Sequence, residues 1–119
     1  MIEARCHCGA VRIELARRPR TVTECNCSMC RRYGTLWAYY KARDVRILGG
    51  RGSTDAYAWG ERAIRFVRCA KCGCVMHWEA VKRTASGRLG VNARNLDPAI
   101  LRGIRVRHLD GAATWKYLD

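Results

Sequence analysis

Three tight cysteine clusters constrain this 119-residue chain more than anything else in it: Cys6-His7-Cys8, Cys25-Asn26-Cys27-Ser28-Met29-Cys30 and Cys69-Ala70-Lys71-Cys72, with Cys74 just beyond the third. Cys-x-Cys and Cys-x-x-Cys turns present two thiolates from one loop at little entropic cost, and zinc takes such sulfurs at about 2.3 Å in a tetrahedron. The spacing reads as a set of metal ligands. A disulfide framework is the competing reading of an even cysteine count in a short chain. It is disfavoured by the N-terminus, where Met1-Ile2-Glu3-Ala4-Arg5 carries no apolar stretch of the kind that directs export to an oxidising compartment.

At this length a single domain over residues 1–119 is expected, with a small core to which bound metal adds stability. No apolar run approaches the roughly 20 residues needed to cross a bilayer, and neither end carries a lipidation signature. A soluble, cytoplasmic protein without membrane association is the expectation. Lys and Arg number 23 against 10 Asp and Glu, a formal charge of +13. Seven thiolates holding two zinc ions would lower that by roughly 3 units and leave the surface strongly basic. Such a balance favours anionic partners, from nucleic acid to a small acidic metabolite, without choosing among them.

Much of the basic character has a plain structural explanation. Arginine alternates with apolar residues in Val11-Arg12-Ile13, Arg65-Phe66-Val67-Arg68 and Ile104-Arg105-Val106-Arg107, the period-two pattern of half-buried strands with solvated outer faces. Pattern and turn residues place strands near 10–16, 21–24, 36–40, 45–48, 55–59, 64–68, 75–80, 88–92 and 104–108, which makes the protein mainly β. Two segments read as short helices. Ser28-Met29-Cys30-Arg31-Arg32-Tyr33 stops at Gly34, and 97–101 opens with Asp97 as N-cap and Pro98 at the first helical position. The glycine-rich 49–53 stretch lacks the Lys-Ser/Thr ending and following helix of a phosphate loop, so it reads as a flexible turn.

Cys6 and Cys8 lie far from Cys69 and Cys72, and a zinc shared between the two pairs would tie the first strand to the second half of the chain in a closed, four-thiolate site. Cys25, Cys27 and Cys30 supply three thiolates from a turn that enters a helix. Three protein ligands with a fourth position open is how catalytic zinc is held; a structural site completed by Cys74 or a histidine is the alternative. The helix N-terminus, Arg31 and Arg32 add positive charge that favours thiolates and would attract an acidic ligand. His7 and His77 are read as packed or solvent-facing rather than as ligands, and Cys74 as a buried small hydrophobe. An iron-sulfur cluster would need four well-placed cysteines where the second group offers three, so zinc is the expected metal. Trp37, Tyr39 and Tyr40 follow this cluster and can either wall a pocket above it or pack the core.

The segments Cys-x-Cys-Gly-Ala-Val at 6–11, Cys-Asn-Cys-Ser-x-Cys-Arg-Arg at 25–32 and Cys-x-x-Cys-Gly at 69–73 closely resemble the glutathione-dependent formaldehyde-activating enzyme family, which also includes centromere protein V. The resemblance runs on through Gly34-Thr35-Leu36-Trp37-Ala38 and Gly90-Val91-Asn92 to the strand before Asp110-Gly111. It implies a mainly β, Mss4-like zinc-binding fold in one compact domain, with two zinc ions per chain. By the same carry-over, Cys6, Cys8, Cys69 and Cys72 form the structural zinc site, and Cys25, Cys27 and Cys30 a second, catalytic-type site. The family's named reaction joins glutathione and formaldehyde as S-hydroxymethylglutathione, a carbon-sulfur lyase reaction when written in reverse.

Two functional expectations follow. The first is a zinc-dependent carbon-sulfur lyase acting on a thiol-aldehyde adduct, with a small thiol such as glutathione as partner and Arg31, Arg32 and Trp37 as substrate-binding residues. The second is a zinc-stabilised binding module for a polyanion, nucleic acid or cytoskeletal, in which both zinc ions are structural. No aromatic-interleaved basic patch supports the second.

Overall fold

Ten short strands and two short helices emerge from this pattern in the computed structural model, which describes residues 1–119. The strands are β1 (Ile2–Arg5), β2 (Arg12–Leu15), β3 (Thr21–Cys25), β4 (Trp37–Lys41), β5 (Val45–Leu48), β6 (Thr54–Tyr57), β7 (Ile64–Cys69), β8 (Val75–Ala80), β9 (Arg88–Asn92) and β10 (Arg105–Leu109). Helix α1 spans Ser28–Tyr33 and α2 spans Pro98–Leu101. No helix is long and apolar enough to cross a membrane.

The strands form two sheets, a small one ordered β1-β2-β5 and a large one ordered β10-β3-β4-β9-β8-β7-β6. Pairing is antiparallel throughout except for β10, which returns parallel to β3 with Leu109 opposite Cys25. Strand alternation then sorts the side chains. Ala4, Ile13, Leu15 and Val45 of the small sheet pack against Val22, Ala38, Tyr40, Leu89 and Val91 of the large one in a single buried cluster. Each Leu, Ile or Val buried in this way stabilises the fold by about 1.5–3 kcal/mol. The opposite face of the large sheet carries Trp37, Phe66 and Trp78, clustered with Cys25 and Cys30. One face of the sheet makes the core, and the other presents the chemistry.

Both helices follow their capping signals. Cys27 caps α1 by accepting the Cys30 backbone N–H, and Gly34 ends it in the left-handed region at φ 67°. Asp97 accepts the Ala99 N–H at 2.9 Å at the start of α2. The 49–53 stretch is a turn, closed by Ser53 N–H to the Gly50 carbonyl at 3.0 Å.

Three elements depart from the pattern reading. Strand β1 is unanticipated because Ala4 is its one buried residue, and it forms by pairing Ala4 with Ile13 across the small sheet. The strand placed at 10–16 shortens to Arg12–Leu15, because its first residues are taken up by the turn that bonds Cys6 N–H to the Val11 carbonyl at 3.1 Å. Strand β6 ends at Tyr57 and is an edge strand with all four residues exposed, which leaves Trp59 outside the sheet.

Candidate metal centres and the adjoining pocket

The first thiol group is built from two chain turns that the sheets bring together. The turn leaving β1 carries Cys6 and Cys8, and the turn leaving the end of β7 carries Cys69 and Cys72; all four sulfurs lie within 4.8 Å of one another. Cys8 Sγ is 3.6 Å from both Cys6 Sγ and Cys69 Sγ. A disulfide requires about 2.05 Å, whereas zinc-sulfur bonds of about 2.3 Å at tetrahedral angles set sulfurs about 3.8 Å apart. All eight cysteines are free thiols. The backbone also aims at the sulfurs, with Val11 N–H at 3.3 Å from Cys6 and Cys72 N–H at 3.4 Å from Cys69. Backbone N–H groups of Cys74 and Cys8 pull the Cys72 thiol down to about 5. Donor type, spacing and hydrogen bonding all fit a four-thiolate metal site.

Cys74 is half-buried rather than buried, a correction to the small-hydrophobe reading. It packs on the rim of the main core, while its carbonyl serves the turn by accepting from Cys69 N–H at 2.9 Å. His7 is exposed. His77 is buried between the sheets and bonded through Nε2 to Glu79 at 2.6 Å, so neither histidine joins a thiol group.

The second group comes from the end of β3 and the first turn of α1. Cys25, Cys27 and Cys30 bring three sulfurs within 4.8 Å of one another, and no His, Asp, Glu or further Cys joins them. Cys25 and Cys30 are buried, while Cys27 is partly exposed. The Trp37 indole N–H donates to Cys30 Sγ at 3.2 Å, and the backbone N–H groups of Cys30 and Cys27 point at Cys27 and Cys25 at 3.3 and 3.5 Å. A hydrogen bond from Cys30 pulls the Cys25 thiol down to about 6, aided by backbone N–H groups of Cys27 and Gly111. The same bond and burial push the Cys30 thiol up. Cys25 is the sulfur these contacts favour as thiolate.

The three sulfurs sit in the wall of a cavity of about 360 Å³. Its sides are Trp37 and Tyr39 from β4, Phe66 from β7 and Trp78 from β8, with Trp115 and Tyr117 from the C-terminal segment at the rim. Alternation along β4 resolves its three aromatics: Trp37 and Tyr39 face the pocket, and Tyr40 lies in the core with its hydroxyl on the Arg17 carbonyl at 2.9 Å. Pocket and core readings each hold for part of the run.

Arg31 and Arg32 are not in this pocket. Arg32 turns back on its own helix, donating to the Ser28 carbonyl at 2.7 Å, and Arg31 borders a separate opening of about 140 Å³ on the other flank of Cys25 and Cys30. The basic side chain in the main pocket is Arg88, whose guanidinium lies 4.5 Å over the Tyr39 ring. Sequence reading missed it, because strand pairing of β9 with β4 and β8 is what carries it to the pocket. Also missed is the clamp that holds the C-terminal turn to the second thiol group. Asn26 donates to Asp110 Oδ1 at 3.0 Å and accepts Ala112 N–H at 2.9 Å, which seats Gly111 against Cys25. Asn26 between two cysteines and the Asp-Gly pair at 110–111 were the available signals.

A β-sandwich with one closed four-thiol group and one three-thiol group open to a pocket defines a thiol-rich β domain with two places able to hold metal. The model of the family described as glutathione-dependent formaldehyde-activating enzyme matches residues 1–105, and the chain belongs to that family. It is also similar to a solved crystal structure of a Rhodobacter sphaeroides protein, at 30% identity and a TM-score of 0.71, over 88% of this chain and 99% of that one.

Proposed function

We propose that the protein is a zinc-dependent carbon-sulfur lyase-type enzyme that forms or breaks a thiol-aldehyde adduct in the pocket beside Cys25, Cys27 and Cys30. The observation that carries this reading is the contrast between the two thiol groups: four sulfurs close on themselves at Cys6, Cys8, Cys69 and Cys72, whereas three line a cavity. Family membership supports the reaction class, with S-hydroxymethylglutathione as the family's named adduct.

In this reading Cys6, Cys8, Cys69 and Cys72 hold a structural zinc, and Cys25, Cys27 and Cys30 hold the second. A zinc held by three thiolates supplies Lewis acidity that favours a substrate sulfur as thiolate, the form that attacks an aldehyde carbon. The chain's own groups do the rest. Trp37 N–H steadies Cys30, the Cys27 N–H steadies Cys25, Gly111 packs against it, and the aromatic walls limit water at the reacting atoms. In adduct formation the thiol releases its proton to water, its sulfur bonds to the aldehyde carbon as the C=O π pair moves to oxygen, and the oxygen takes a proton back from water; breakdown is the reverse.

Proton exchange spectroscopy on glutathione and formaldehyde with zinc-loaded protein tests this. Faster adduct interconversion than in buffer, lost in Cys27→Ser while the first metal is retained, is the expected result. A rate equal to that of buffer, with glutathione and with a simple aromatic thiol alike, contradicts the proposal. It would leave a polyanion-binding role, motivated by the +13 charge, as the reading to pursue through salt-dependent nucleic-acid retention.

A further inference from the structure

The lining of the pocket carries information about the body of the substrate, beyond its reacting sulfur. Eleven of the twelve lining residues are hydrophobic, and the twelfth is Arg88. No carboxylate lines the cavity, and Arg88 rests on the face of Tyr39. A tripeptide with two carboxylates and an ammonium group would bring charges for which this wall has one partner, and a buried charge without a partner costs several kcal/mol.

The walls suit an aromatic ring instead. Tyr39 and Trp78 stand edge to face at 6.1 Å and 64°, and Trp37 and Phe66 lie 6.2 Å apart. Between Tyr39 and Trp78 runs the bare backbone of Gly90, where a Cβ would stand 2.2 Å from the Trp78 indole nitrogen. That close approach leaves Trp78 flat against the sheet. Trp37 touches Cys30, and Arg88 sits over Tyr39, two residues further along β4. A benzene ring with sulfur at one end and a carboxylate at the other could lie along that wall with each end at a matching group.

We infer that the pocket selects a thiol with an aromatic body and a single carboxylate, placing sulfur at Cys25, Cys27 and Cys30 and the carboxylate at Arg88. The inference rests on the thiol-binding reading of this site and goes further by assigning Arg88 as the residue that sets specificity.

Para-mercaptobenzoate, para-toluenethiol and glutathione titrated into zinc-loaded protein separate the two claims, read by calorimetry and by quenching of the pocket tryptophans. The expected order is mercaptobenzoate tightest, by about tenfold or more over toluenethiol, the value of one charge-assisted contact. Arg88→Gln should remove that advantage, bringing the ratio of the mercaptobenzoate to the toluenethiol affinity to about one; Arg88 is exposed, so the variant is expected to fold. Cys27→Ser should weaken all three thiols. Glutathione binding more tightly than mercaptobenzoate, or an unchanged mercaptobenzoate affinity in Arg88→Gln, overturns the inference and leaves the thiol-binding reading intact. Failure of every thiol to bind overturns both.

Discussion

Gly111 packs its backbone directly on the Cys25 thiol: a Cβ placed on Gly111 would stand 2.5 Å from that sulfur and 3.2 Å from Cys27 Cβ. The turn after β10 is thereby fitted to the second thiol group as closely as atoms allow. It is held there by the Asn26 clamp on Asp110 and Ala112.

Gly111→Ala is therefore expected to open the second metal site selectively. The added methyl would displace the turn that packs on a metal ligand, and disturbing such an outer contact typically costs 10–100-fold in affinity. Chelator competition should show one zinc weakened by about tenfold or more and the other unchanged. Equal affinities in variant and parent would refute the role given to this turn.

Trp37→Phe keeps one aromatic ring and deletes the pyrrole half of the indole, with the N–H that meets Cys30 at 3.2 Å. A hydrogen bond to a charged sulfur contributes about 1.5–3 kcal/mol. The same competition assay should register a loss of that size at the second site, on top of a stability loss of about 1–2 kcal/mol for shrinking a buried side chain, with the first site unchanged. No change in zinc affinity would mean the indole packs without bonding.

Cys72→Ser addresses the other group. Zinc held by four thiolates contributes about 10 kcal/mol or more to folding, comparable with the whole net stability of a small domain. The variant should be insoluble, or melt far below the parent, with zinc content falling from about two to about one per chain. A soluble variant with parental melting and metal content would contradict a shared site between the β1 and β7 turns.

Glu79 links stability to pH independently of the thiols. The hydrogen bond from His77, together with the ion pair to Arg65 at 2.8 Å, holds its carboxyl down to about 2 from an ordinary 4.5. Because the unfolded chain binds this proton more readily, the stability Glu79 contributes is complete above about pH 4.5 and is lost as pH falls toward 2. Glu79→Gln should cost about 1–3 kcal/mol in urea unfolding at neutral pH. Its difference from the parent should shrink on acidification through that window; a constant difference would exclude the linkage.

Local chemistry made much of this legible in advance. The Gly34 stop, the Asp97 cap and the cysteine groupings depend on neighbours in sequence, whereas the sequence left pocket and core open for Trp37, Tyr39 and Tyr40 and the structure divides them. Strand β1 was hidden because one buried alanine in four residues is too weak a pattern. Arg88 was hidden for a different reason. It is exposed, it lies on a correctly placed strand, and its proximity to Tyr39 exists only through the pairing of β9 with β4. Gly111 reaches Cys25 only because β10 returns parallel to β3, a register that no short window of sequence encodes. The polar partners of the second site are the parts of the protein that non-local topology supplies.

The central claim is that the two thiol groups differ in kind, one closed and one open to an exchangeable ligand. Cadmium NMR of the metal-substituted protein tests it most directly, since the metal's chemical shift reports how many sulfurs surround it. Two resonances are predicted, one typical of four sulfurs and one of three. Addition of a small thiol should move the second toward the four-sulfur position and leave the first in place. Two four-sulfur resonances before any thiol is added, or two resonances unmoved by it, would contradict the account.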